Sequence, residues 1–188
     1  MEKIGYMGIA GSFSEIAAID MAGQMDMKEV EYEPLVCAMN ILKALEEGKI
    51  SYGVLAVKNS TAGPVSEFVK AFEGVSYEVV KEYVLPIHHC LFKKSGEVRI
   101  EDLKIVASHP QALKQTEGNR KAFFSHMKEQ AIEDTAIGAE WLAVGKLDED
   151  TAVICSKKAG ESWGLDLIRE NIEDSADNKT TFWMLRLK

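Results

Sequence analysis

Four short segments carry residue types suited to holding a small anion. The first is Gly8-Ile9-Ala10-Gly11-Ser12-Phe13-Ser14-Glu15, where glycines let the backbone approach a ligand and a following helix N-terminus offers unpaired N–H donors. It has neither the G-x-G-x-x-G spacing of a dinucleotide site nor a P-loop, so neither nucleotide reading holds. The same residues also form a capping box, with Ser12 at the N-cap and Glu15 three positions on. The second segment, Lys58-Asn59-Ser60-Thr61-Ala62-Gly63, either aims neutral donors from a strand end or is ordinary turn chemistry. In the third, Ser108-His109-Pro110-Gln111-Ala112-Leu113, His109 is a partial cation near neutral pH or, more plainly, a cap or a packed core residue. The fourth places Asn171-Ile172-Glu173-Asp174 and then Asn178-Lys179-Thr180-Thr181-Phe182 before a terminal strand, where a solvated loop is the plain alternative. His88-His89-Cys90 looks like a metal cluster, yet neighbours on a strand point to opposite faces, so no metal site is expected there.

The elements that must position these segments follow from periodicity. Apolar runs of strand length alternate with helical patterns: a strand over 4–8, a helix over 14–24, a strand over 30–36, a helix from Ala38 closing at Gly48, and a strand over 52–57. Val65, Phe68, Val69 and Phe72 give a further amphipathic helix. Extended stretches over 77–84 and 87–92 meet around Pro86 and read as a crossover. Beyond it, a strand over 105–107 feeds a helix that Ser108 can cap, and Asp134 or Thr135 can cap a helix over 136–144. Strands over 151–155 and 181–187 complete the pattern, with no clear internal sequence repeat. This order predicts an α/β fold with open, partly parallel sheets in two lobes, whose ligands sit outside the C-terminal strand ends, in the cleft between lobes.

Composition narrows the partners. With 22 basic against 30 acidic side chains, a net charge of −8 and no basic run, nucleic acid is not an expected partner. The apolar stretches are far shorter than the roughly 20 residues of a membrane helix, so no membrane partner is expected. Cys37, Cys90 and Cys155 form no CxxC or ligand spacing, which suits a reducing compartment, and no export signal follows Met1; the expected location is cytoplasmic.

Taken in order and with their spacing, these segments resemble the catalytic domain of prephenate dehydratase. The family's Gly-Ser-Phe-Ser/Thr-Glu element matches Gly11 to Glu15, its Asn-Ser and Gly-x-Val match Asn59, Ser60, Gly63 and Val65, and its His-Cys-Leu matches His89-Cys90-Leu91. Its Ser-His-Pro-Gln-Ala-Leu block is identical to Ser108 to Leu113, and a Thr-Ala pair, Trp-Gly-Leu, Asn-Ile-x-Asp and Asn-x-Thr follow at Thr135, Trp163, Asn171 and Asn178. The resemblance implies two lobes of a type II periplasmic-binding-protein fold with an active-site cleft, lobe 1 over 1–83 and 179–188, lobe 2 over 84–178; many relatives continue into a regulatory domain, and with the sequence ending six residues after Phe182 none is expected here. It implies decarboxylation and dehydration of prephenate to phenylpyruvate in phenylalanine biosynthesis, a carbon–oxygen lyase reaction without metal or organic cofactor, in a homodimer or homotetramer.

By the same analogy, Thr180 assists the departing hydroxyl while Asn59 and Gln111 position the substrate. Ser12, Ser60 and the helix N-termini after Gly11 and His109 receive its carboxylates, Thr61, His109, Lys58 and Thr181 count among the substrate-binding residues, and Phe13 and Phe182 pack around the ring, a place in the core being the equal alternative for Phe182. The family's Glu before Asn-Ser is Lys58 here, and its Arg after the threonine is Thr181. Losing the Arg removes a bidentate carboxylate partner. We expect the two positions to be neighbours, with Lys58 supplying the cation. A non-aromatising prephenate decarboxylase, an arogenate dehydratase and a non-catalytic small-anion binding module are the alternatives these departures leave open.

Overall fold

The computed structural model describes residues 1–96 and 98–188, which divide into two compact units, Met1–Ile87 with Asp177–Lys188, and His88–Ala176. The chain builds β1 (Glu2–Tyr6), α1 (Phe13–Gln24), β2 (Val30–Pro34), α2 (Ala38–Glu46), β3 (Tyr52–Asn59), the short β4 (Gly63–Pro64), α3 (Ser66–Ala71) and β5 (Tyr77–Pro86) in the first unit. The second unit contains β6 (Cys90–Lys93), a 3-10 turn (Ile100–Asp102), β7 (Ile105–Ser108), α4 (Pro110–Gln115), α5 (Glu117–Phe123), β8 (Lys128–Ala131), α6 (Thr135–Ala143), β9 (Thr151–Cys155), α7 (Lys157–Ser162) and β10 (Asp166–Arg169). The last strand, β11 (Lys179–Leu187), returns to the first unit.

The two sheets have the same plan. In the first, the order is β2-β1-β3-β11-β5, with β1 parallel to β2 and β3 and with β11 antiparallel to both its neighbours. In the second, the order is β10-β6-β9-β7-β8, with β7 parallel to β8 and β9 and with β6 antiparallel to β9 and β10. Each sheet thus has three parallel strands in the spatial order second, first, third, then one antiparallel strand. That strand is the one arriving from the other unit: β11 in the first, β6 in the second. This is the two-unit α/β architecture of type II periplasmic-binding-protein folds, and its repeat lies in topology, where no sequence repeat exists.

Packing follows alternation along the strands. Val54 and Ala56 of β3 join Ile4, Tyr6, Phe182 and Met184 in a core under α1, while Leu55 and Val57 join Leu185 in a core under α2 and α3. Leu91, Val106, Ala152 and Ile154 centre a core of the second unit. There α7 lies directly on β6, because a Cβ at Gly160 would collide with the Phe92 ring.

Several boundaries differ from the sequence expectation for local reasons. The strand expected over 30–36 stops at Pro34, since Val36 adopts φ 64° and Cys37 N–H donates to Leu35 O at 2.7 Å in a tight turn. β5 stays paired with β11 from Tyr77 to Pro86, so the first unit runs on to Ile87 rather than ending near Tyr83, and it resumes at Asp177. His109, not Ser108, caps α4: β7 continues pairing through Ser108 with Ala131, and the buried Ser108 hydroxyl donates to Ile154 O at 2.7 Å. The elements α5, β8, α7 and β10 had no sequence expectation; β8 reads Lys-Glu-Gln-Ala and shows no apolar alternation.

Candidate active site

In the first unit, the C-terminal end of β3 meets the N-terminal end of β11. Unbroken alternation from Val54 and Ala56 would carry Lys58, not Asn59, to the α1 side of the sheet. The register shifts instead: Thr181 stands opposite Lys58 and Phe182 opposite Ala56, leaving Val57 without a partner across the pair. This β-bulge resets the alternation and places Asn59 opposite Thr180.

The Asn59 amide is then oriented by two backbone N–H groups, which can only donate, joined by one hydroxyl. Its Oδ1 accepts from the backbone N–H of Thr61 and of Ala62, each at 3.0 Å, and from Thr61 Oγ1 at 2.7 Å. Nδ2 must therefore face the other way, where it donates to Thr180 Oγ1 at 2.9 Å, Asn178 Oδ1 at 3.1 Å and Lys179 O at 3.2 Å. Because Nδ2 has no lone pair to offer, Thr180 Oγ1 is the acceptor, and its own proton points elsewhere. Among the described residues nothing accepts that proton. Thr180 is thus a fixed, nearly buried hydroxyl with its donor function available, polarised by the bond it accepts.

The residues around this pair divide into structural and available groups. Ser60 Oγ donates to Asp177 O and accepts from Lys179 N–H, both at 2.9 Å, while Ser60 N–H donates to Lys179 O at 2.8 Å. Its only hydroxyl proton is thereby engaged, so Ser60 clips the two strand ends together. Phe182 is buried beside Ile4 and Met184, as core. Phe13 is half-buried against the same cluster. Lys58 is exposed, directly opposite Thr181 as expected of neighbours, and has no ion pair among the described residues.

Ser12 caps α1, accepting from Glu15 N–H at 3.3 Å, while the Glu15 carboxylate accepts from Gly11 N–H at 2.9 Å rather than from Ser12 itself. The capping box is shifted by one residue, which Gly8 permits: at φ 114° its absent Cβ would lie 2.9 Å from Ser12 Oγ. The Tyr6 hydroxyl reaches Glu15 at 3.4 Å, and burial followed by the Glu15 charge pushes the phenol upward from its ordinary range.

In the second unit, His109 Nδ1 accepts from Gln111 N–H at 3.1 Å. The neutral ring therefore carries its proton on Nε2. Gln111 lies half-buried in the first turn of α4. The Asn171 to Asp174 segment is not a solvated loop. Glu173, buried, takes His88 Nδ1 at 2.7 Å and His89 N–H at 2.8 Å, and His89 Nε2 meets Gln115 Oε1 at 2.9 Å. Asp174 caps α5 by accepting from Gly118 and Asn119 N–H, each at 2.8 Å. Burial, the dominant cause, lowers the His89 pKa. Cys90 and Cys155 stand opposite each other in the sheet, both buried, and burial raises both thiols. Among the described residues no group of three or more His, Cys, Asp or Glu side chains could hold a metal ion.

Sequence reasoning named two contributors, Glu173 and Asn178, within the fourth segment but gave neither a role: nothing in their types or spacing shows that both side chains are buried, Asn178 to 2% exposure.

The family model for prephenate dehydratase matches residues 4–188. A prephenate dehydratase of Lactococcus lactis subsp. cremoris is 33% identical over 184 residues, covering 97% of this chain and 63% of that protein. The chloroplastic arogenate dehydratase 5 of Arabidopsis thaliana is 34% identical over 188 residues, covering 97% of this chain and 41% of that one. The crystal structure of an Arthrobacter aurescens prephenate dehydratase in complex with L-Phe superimposes with a TM-score of 0.87 at 23% identity, covering 99% of this chain and 60% of that one, a likeness of fold. The chain thus spans about two fifths to three fifths of the length of these relatives. Nearly all of it is matched by one family model, and it belongs to the prephenate dehydratase family.

Proposed function

We propose that this chain carries the lyase chemistry of its family on prephenate. In that reaction the ring carbon–carboxylate bond breaks, its electron pair enters the ring, and the carbon–oxygen bond to the hydroxyl breaks as the ring becomes aromatic. Carbon dioxide leaves, and the hydroxyl leaves as water after gaining a proton. Aromatisation supplies the driving force, so the protein's task is to hold the substrate and to give a hydrogen bond to the departing oxygen. The observation that carries this reading is Thr180, whose hydroxyl is oriented by Asn59 with its proton left available.

A threonine hydroxyl is a very weak acid, so it acts as a donor to the leaving oxygen and relays a proton from water. Asn59 then acts through Thr180 as a positioning residue. Ser12 is assigned to the substrate's carboxylates. Lys58 adds positive potential near the strand end without a fixed contact. The protein is assigned to the cytoplasm, without a metal or organic cofactor, as a homo-oligomer.

The test is turnover. Purified protein with prephenate is expected to yield phenylpyruvate, seen by its enolate absorbance in alkali. With arogenate the corresponding product is phenylalanine, and the ratio of kcat/KM values assigns the substrate. Consumption of prephenate to a non-aromatic product, or binding without turnover, would overturn the proposal in favour of a decarboxylase or a binding module.

A further inference from the structure

We infer that Asn178 is a further positioning residue, which fixes the Asn59 amide from the side opposite Thr61 and so sets the direction of the Thr180 proton. The inference rests on the reading of Thr180 as hydrogen-bond donor. Asn59 Nδ2 has two protons and three acceptors within 3.2 Å, Thr180 Oγ1, Asn178 Oδ1 and Lys179 O. Thr61 and Ala62 hold only the carbonyl end of that amide. With Asn178 Oδ1 at 3.1 Å engaging one side of the NH₂ group, the plane of the amide is fixed at both ends.

The placement of Asn178 suits this role. Its side chain is 2% exposed, and a buried amide is stable only where its polar atoms are satisfied. Its carbonyl accepts from Ile87 N–H at 2.8 Å, joining the last residue of the unit's first segment to the start of its second. On either side, Asp177 O and both backbone groups of Lys179 bond to Ser60. Asn178 is therefore held by backbone on both flanks, and its side chain enters the Asn59 network from a rigid frame.

Two variants separate positioning from packing. Asn178→Leu keeps the volume and removes the acceptor; Asn178→Asp keeps an oxygen facing Asn59. The expected result is a roughly tenfold lower kcat on prephenate for the Leu variant, with KM within about twofold, and recovery of most of kcat in the Asp variant. A crystal structure of Asn178→Leu is expected to place Asn59 Nδ2 beyond hydrogen-bond reach of Thr180 Oγ1, or Thr180 in another rotamer, with the β3 and β11 pairing intact. Equal losses in both variants, or an unchanged Asn59–Thr180 contact with unchanged kcat, would overturn the inference. If the Leu variant does not fold, the Asp variant decides: loss of its kcat contradicts the role. If the wild-type protein makes no phenylpyruvate, the functional proposal falls, and the Asn59–Thr180 distance in the variant still decides whether Asn178 positions the pair.

Discussion

Asn59 Nδ2 donates to Thr180 Oγ1 across the β3–β11 pair at 2.9 Å, and the direction of that bond is fixed by two backbone N–H groups on the far side of the amide. A threonine that must accept from asparagine is left to donate to something else. The bond therefore decides what Thr180 can do, and it can be reversed.

Asn59→Asp is the reversal. An aspartate still accepts from Thr61 and Ala62, but presents an oxygen to Thr180, which then donates its proton inward. We expect kcat on prephenate to fall about 100-fold, comparable to removing one donor from an oxyanion-type site, with KM changed less than about threefold. Steady-state kinetics beside a thermal melt check this; an Asp variant with wild-type kcat would show that the orientation of Thr180 does not matter.

The Lys58–Thr181 pair makes a separate expectation. Thr181→Arg sets two cations directly opposite each other on adjacent strands, and we expect a loss of about 0.5–1 kcal/mol, read by denaturant melts. The double variant Lys58→Glu with Thr181→Arg should recover that loss, and the coupling between the two changes is the quantity to measure. Additive effects would mean that the two side chains do not interact. Lys58→Ala alone should raise KM about two- to fivefold at low salt and much less at high salt, because an exposed cation acts on a dianion through a screened field.

The sequence carried much of this site, and its limits have physical causes. Periodicity placed α2 and β9 closely, because Ala38, Ile41, Leu42 and Leu45 keep one helical face and 151–155 is uniformly buried. Ser12 and Glu15 declared a cap whose exact partner, Gly11 rather than Ser12, depends on a left-handed Gly8. The bulge at Val57 was invisible, since no residue type marks it, and without it the face of Asn59 comes out wrong. Ser60 looked available because a serine in a turn gives no sign that its hydroxyl is engaged by a backbone carbonyl 117 residues away, in the turn before β11. Likewise Glu173 and Asp174 looked solvated because their partners, His88, His89 and the start of α5, are distant in sequence.

His89 gives a pH expectation. Burial lowers its pKa in the folded protein below the unfolded value of about 6.5, so the unfolded chain binds the proton more readily. The contribution is fully present above about pH 6.5 and is lost as pH falls from there through the lower folded pKa, with no further loss beneath it. The wild-type melting temperature should thus fall between pH 7.5 and pH 5. In His89→Gln the fall should be smaller, although the variant is less stable at pH 7.5. Equal pH dependence in the two proteins would exclude His89 as a contributor.

The most direct measurement is the conversion of prephenate to phenylpyruvate by the wild-type protein and by Thr180→Val, which keeps the shape of the side chain and removes its hydroxyl. The expected result is catalysed phenylpyruvate formation by the wild type and a loss of kcat of about 100-fold or more in the variant, with both proteins melting within a few degrees of each other. A Thr180→Val protein that retains wild-type kcat would contradict the assignment of Thr180 as the donor to the leaving oxygen.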